Sequence, residues 1–192
     1  ALPICNYAVI LNSGTLNMNY AGFMNNPSSG NTPTLTIAGG TLDNTSGGSI
    51  TQSTNAPVAL NGDFTFGGTN ALNLGTGAVT LSASHTITTN GSAILTLGGA
   101  ISGSGYGIVK AGGGNLKLSG NNTYTGLTDV QAGTLTLGRS GGTIADTASV
   151  QVSGGTLDVA NADTVGAVTL SNGTISGAGT LTGSSYSLTS RG

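Results

Sequence analysis

The sequence predicts an all-β chain wound as a solenoid, and three observations carry that expectation. A Gly-Thr-Leu tripeptide or close variant recurs within Ser13–Asn17, Gly39–Asp43, Ala132–Thr136, Gly154–Asp158 and Asn172–Ser176, with looser echoes at Asn61–Thr65 and Gly113–Lys117. The commonest gap between copies is about 22 residues, the size of one solenoid coil. Short apolar alternations fill the intervals, and Gly, Thr, Ser and Asn crowd out the residues that build helices.

The alternations follow the chain in order. They are Leu35-Thr-Ile37, Val58-Ala-Leu60, Phe64-Thr-Phe66, Leu72-Asn-Leu74, Val79-Thr-Leu81 and Leu95-Thr-Leu97, then Leu116-Lys-Leu118, Leu135-Thr-Leu137, Val150-Gln-Val152, Leu157-Asp-Val159 and Val168-Thr-Leu170. Each reads in-out-in, the pattern of a strand with one buried face. Gly, Ser and Asn separate them and supply the turns. Apolar pairs start about every 7 or 8 residues, so about three short strands fit one repeat and the coil is a triangle. Cutting at the Gly motif gives about eight coils, from Ser13–Ala38 to Asn172–Gly192, a rod of roughly 40 Å. The longest segment, Asn61–Thr89, is expected to bulge as a loop. Residues 1–12 read as an apolar N-terminal cap or subunit-pairing strand, and 13–192 as the solenoid.

Composition narrows the function. Of 192 residues only 5% are charged, where about 25% is ordinary. The 36% apolar content with a strand period suffices for a core, which argues against disorder. A net charge of −2 offers nucleic acid no electrostatic footprint. No apolar run approaches about 20 residues, so no transmembrane helix is expected. The first residue is Ala1, as in a processed chain whose export signal has been removed. Cys5 has no internal partner, so it is free, buried or joined to another chain. Leu2-Pro-Ile-Cys5 is a poor lipidation signal, because Ile4 stands where a small residue is needed.

A solenoid exposes unpaired backbone at both ends, and polar caps usually cover it. Here Ala1–Leu11 is apolar and the C-terminus ends in Ser190-Arg-Gly192. Either Ala1–Leu11 plugs its own first coil, or it pairs with a neighbouring subunit in a head-to-tail filament, or the chain is cleaved from a larger parent. The candidate assembly residues are Leu2, Ile4, Cys5, Tyr7, Val9 and Leu11 at one end and Tyr186 and Leu188 at the other.

One stretch is more specific. Gly112-Gly-Gly-Asn-Leu-Lys-Leu-Ser-Gly-Asn-Asn-Thr-Tyr-Thr-Gly126, continuing through Leu127-Thr-Asp-Val-Gln-Ala-Gly-Thr-Leu-Thr-Leu-Gly138, closely resembles the autotransporter-associated β-strand repeat over about one coil. The resemblance implies a right-handed parallel β-helix, secreted or on the bacterial cell surface, of the kind that serves as an adhesin, passenger stalk or fibre. It brings no catalytic residues with it. Asn121 and Asn122 are expected to take left-handed turn conformations, Tyr124 to pack on a corner, and Gly126 to let the chain turn.

Chemistry is hard to assemble from the remaining residues. Asp43 and Asp158 occupy the same place in Gly-Gly-Thr-Leu-Asp, which puts them roughly 24 Å apart along one column, too far to act as a pair. Asp158, Asn161 and Asp163 offer oxygens for calcium but lack the nonapeptide of calcium-filled rolls. His85 stands alone, expected on a loop over Ser82–Thr89, and a metal site is not expected. No Gly-x-Ser-x-Gly elbow supports a serine hydrolase, and the Gly-rich runs form no phosphate loop. Thr-x-Thr pairs such as Thr86/Thr88 and Thr134/Thr136 raise an ice-binding face, but their spacing is irregular. The expectation is therefore a non-catalytic extracellular structural or adhesive β-solenoid without cofactor, self-associating end to end, with surface glycans or a host surface as further partners. The alternatives are a carbohydrate-binding or carbohydrate-active β-helix and, behind it, an ice-binding solenoid.

Overall fold

The computed structural model describes residues 8–23 and 33–189. Within them the chain forms short strands and no helix. Numbered in chain order, the strands build three sheets. The first face stacks β1 (Val9–Leu11), β3 (Leu35–Ile37), β6 (Val58–Leu60), β9 (Val79–Leu81) and β12 (Ile101–Ser102). The second stacks β2 (Thr15–Asn17), β4 (Thr41–Asp43), β7 (Phe64–Phe66), β10 (His85–Thr89), β13 (Ile108–Ala111), β15 (Thr128–Val130), β17 (Val150–Val152), β19 (Asp163–Leu170) and β21 (Leu181–Leu188). The third stacks β5 (Ile50–Thr51), β8 (Leu72–Asn73), β11 (Ile94–Leu97), β14 (Asn115–Leu118), β16 (Thr134–Leu137), β18 (Thr156–Val159) and β20 (Thr174–Ser176). Neighbouring rungs pair in parallel, as one coil laid on the next requires. The 9-stranded second face spans eight steps, so the molecule is a β-solenoid of about eight turns with about three strands per coil.

Register aligns the inward residues into columns. On the third face Leu72, Leu95, Leu116, Leu135, Leu157 and Ile175 lie directly over one another. Leu72 through Leu157 are almost wholly buried. On the first face Leu35, Val58, Val79 and Ile101 form the equivalent column. The intervening side chains Thr36, Ala59 and Thr80 face outward, so period 2 becomes one dry and one wet surface.

The Gly-Thr-Leu motif does not keep to one face. Its copies at Gly14 and Gly40 lead into β2 and β4 on the second face, whereas those at Gly133, Gly155 and Gly173 lead into β16, β18 and β20 on the third. The motif encodes a turn followed by an inward Leu, and any corner of a triangular coil can use that geometry. Two expectations change with it. Asp43 and Asp158 stand on different faces instead of in one column. Asn61–Thr89 is not a bulge: it holds β7, β8 and β9 and runs on through β10, more than a full coil of ladder.

The first face stops at β12. Beyond it, side chains share the ladder with single backbone bonds. Asn122 Oδ1 accepts the backbone N–H of Ile101 at 2.9 Å, and Thr123 N–H donates to Ile101 O at 2.8 Å. Two coils on, Asp163 Oδ2 accepts the N–H groups of Thr143 at 2.9 Å and Ile144 at 3.0 Å. A carboxylate that accepts backbone N–H groups replaces a rung of peptide carbonyls.

Leu116 sits mid-column with no solvent contact. Leu116→Ala should destabilise the chain by about 3 kcal/mol in urea titration, while Thr80→Ala on the wet face should stay within about 0.5 kcal/mol of wild type.

Candidate functional site

The coil that carries the repeat signature buries several polar side chains, Lys110, Asn122 and Thr128 among them. Tyr124 has no exposed surface, and its hydroxyl meets Thr128 Oγ1 at 2.7 Å. Burial drives its phenol well above the usual value, so it stays neutral. Thr128 faces inward between Ile108 and Val150, so Tyr124 satisfies the one hydroxyl in that part of the column. Asn121 and Asn122 depart from expectation: Asn55 (φ 49°) is the non-glycine residue in the left-handed region among those described. Asn122 instead acts through its amide oxygen on Ile101. Gly126 is needed for a reason other than turning, because a Cβ there would run into the backbone of Tyr106 and Gly107.

Lys110 was not singled out by sequence. It occupies an inward position on β13, in the column Phe64, Ile87, Lys110, Val130, Val152, Leu170, Leu188. It is fully buried. Its ammonium donates to Ala111 O at 2.9 Å, Gly112 O at 2.8 Å and Ala132 O at 2.9 Å, which uses all three donors. Burial pushes its pKa down to about 8. Gly133 passes close to that ammonium with φ 64° and admits no side chain. The signal in the sequence was parity: in Ile108-Val-Lys110, Lys shares its face with Ile108, not with Val109.

The acids are dispersed. Burial works to raise the pKa of Asp43, yet the Thr69 hydroxyl at 2.6 Å and the N–H groups of Thr69 and Asn44 hold it below the ordinary carboxylate value. Asp158 accepts from Thr136 Oγ1 across one rung. Asp163 is buried, which raises its pKa against the pull of the Ile144 and Thr143 N–H groups. A lateral groove of about 280 Å³ opens over the second face, lined by Gly40, Asp63, Phe64, Thr65, Thr86 and Thr88. It holds one carboxylate, where glycoside hydrolysis uses two. Among the described residues no group of three or more His, Cys, Asp or Glu could hold a metal. The outward Thr residues form only short columns, such as Thr134, Thr156 and Thr174, and Lys117 and Asp158 interrupt the neighbouring one.

His85 lies elsewhere than expected. It opens strand β10, 7% exposed, instead of sitting on a loop. Its Nε2 is 3.2 Å from Ser82 Oγ and its Nδ1 is 3.5 Å from Asp63 Oδ1.

Of the candidate assembly residues, Leu2, Ile4, Cys5 and Tyr7 lie outside the described residues. Val9 is half-buried and Leu11 buried, both on β1, which pairs with β3. Tyr186 and Leu188 are 59% and 77% exposed. They are the last members of two inward columns, over Val168 and Leu170.

Residues 108–137 match a family model described as the passenger-associated-transport-repeat. This is the coil that holds Lys110, Asn122 and Tyr124, and the match agrees with the resemblance read from the sequence. No curated protein and no solved structure matches the chain. The molecule is thus a β-solenoid bearing a passenger-type repeat. No described helix is long and apolar enough to cross a membrane.

An unfolded lysine keeps its proton up to about 10.5, the folded Lys110 to about 8. Between these values the unfolded chain binds the extra proton, so folding stability contributed by this group rises with pH and levels off above the window. Lys110→Met should abolish that rise, at most about 3 kcal/mol in the difference between wild type and variant across pH 8–10.5. Urea titrations of both proteins at pH 7.5 and pH 10.5 measure it.

Proposed function

We propose that this chain works as a non-catalytic structural rod in a secreted or surface-exposed passenger-type protein, and that its ends allow copies to stack into filaments. The β-solenoid and the passenger-associated repeat support the first part. One observation carries the second: the inward columns run on to a rung that no described residue covers. Tyr186 and Leu188 extend the columns of Val150–Val168 and Val152–Leu170, and β21 offers eight residues of strand whose outer edge pairs with no described strand, with only Gly183 N–H and Leu181 O taken up by the Tyr186 hydroxyl. An exposed apolar strand edge is a template for a further strand, and a head-to-tail contact that does not close makes a fibre. With only 5% charged residues, two such ends meet with little electrostatic repulsion. An adhesive role would then fall to the wet outer faces of the rod.

Sedimentation velocity and negative-stain microscopy of the purified chain test the stacking. Wild type should form particles several times longer than one rod of roughly 40 Å, growing with concentration. Tyr186→Asp with Leu188→Asp should return them to single rods without loss of the β-type circular dichroism signal. A wild type that stays monomeric at all concentrations would overturn the filament reading.

A further inference from the structure

Asp63, Ser82 and His85 meet at the corner where β9 passes into β10, and the atoms that meet are in the order of an acyl-transfer relay. Ser82 Oγ faces His85 Nε2 at 3.2 Å, and Asp63 Oδ1 faces the other ring nitrogen, Nδ1, at 3.5 Å. With hydrogen on Nδ1, the ring turns that nitrogen toward the carboxylate across 3.5 Å and leaves the lone pair of Nε2 for the hydroxyl proton. Such separations are commonly loose before a substrate is bound. The three residues are also unequal in the useful way. The imidazole is buried, while Ser82 is exposed and Asp63 presents 67% of its side chain to solvent. The base is therefore shielded, and Ser82 lies at the surface.

Rigid elements hold the arrangement. Asp63 precedes β7 and His85 begins β10, adjacent rungs paired through Ile87–Phe64, so the ladder sets the distance between them. Asp63 Oδ1 is fixed further by the N–H of Thr86 at 2.8 Å. Ser82 has a second acceptor, Leu60 O, also at 3.2 Å, a bond that its hydroxyl gives up when it turns to His85. The N–H groups of Ala83 and Ser84, which follow the hydroxyl, donate to no backbone or side-chain acceptor among the described residues. The groove of about 280 Å³ shares Asp63 with this corner, while Ser82 and His85 lie outside its lining.

We propose that Ser82 is a nucleophilic hydroxyl, with His85 as its base and Asp63 as the positioning carboxylate, and that it accepts an acyl group from activated carboxylic esters. In the step, Ser82 Oγ bonds the ester carbonyl carbon and its proton passes to His85 Nε2. The bond from that carbon to the leaving oxygen breaks, and the leaving alkoxide or phenoxide takes the proton from Nε2. The product is one ester on Ser82 and one alcohol or phenol, with no redox change. This site is independent of the rod's mechanical role, since it lies on the lateral surface and not at an end.

The purified chain is treated with a fluorophosphonate probe and, separately, with p-nitrophenyl acetate, and the modified residue is located by peptide mass mapping. The expected result is about one label per chain on Ser82. Ser82→Ala should lose it, and Ser92→Ala, at an exposed hydroxyl away from this corner, should keep it. His85→Gln should slow labelling by roughly 100-fold or more. Asp63→Asn, at an exposed carboxylate that the fold tolerates, should slow it about 10-fold and displace its pH profile, with the thermal melt unchanged. Absence of label on Ser82, or labelling of Ser82 at the wild-type rate in Asp63→Asn, would overturn the proposal. The second outcome does so even if His85→Gln fails to fold.

Discussion

The constraint on which everything else rests is the in-register parallel ladder. Each rung gives its N–H and C=O groups to the rungs before and after it, so a slip of one residue would turn every Leu outward and every Thr inward. Because register is kept from coil to coil, Leu72 through Ile175 become a single column instead of scattered contacts. The low charge of the chain follows. Outward positions on neighbouring rungs sit about 4.8 Å apart, and like charges stacked at that spacing would repel along the whole rod.

Where the ladder loses its strands, the chain substitutes side chains for peptide groups. Asn122 receives Ile101 N–H, and Asp163 receives Thr143 and Ile144. Lys110 does the converse for carbonyls, turning three turn oxygens toward one ammonium inside an apolar column. A buried unpaired peptide group costs about 1–3 kcal/mol, so Asn122 and Asp163 offset costs that the missing strand would otherwise leave, and Lys110 offsets those of the carbonyls around it. The repeat-matching coil contains two of the three.

The same logic separates what was readable from what was not. Leu95-Thr-Leu97 and Val150-Gln-Val152 announced their buried faces, because alternation is a local property. Lys110 and His85 did not, because a polar residue at an inward position is understood only once its partners are known, and Ala132 for Lys110 and Asp63 for His85 each lie on a neighbouring coil. The Gly-Thr-Leu motif misled in a narrower sense. It reports a turn and an inward Leu correctly, but not which corner of the triangle it occupies, so Asp43 and Asp158 looked equivalent and are not.

The sequence by itself determined the class of structure: strand, turn and coil length are written in periodicities short enough to read along the chain. Only the tertiary structure decided which corner each turn occupies, which side chains stand in for absent rungs, and that Asp63, Ser82 and His85 share a corner. The physical reason is that coil lengths vary. The pairings Leu116–Leu135 and Ile87–Lys110 join residues at different separations along the chain, so neighbours across the ladder follow from the winding and not from a constant count.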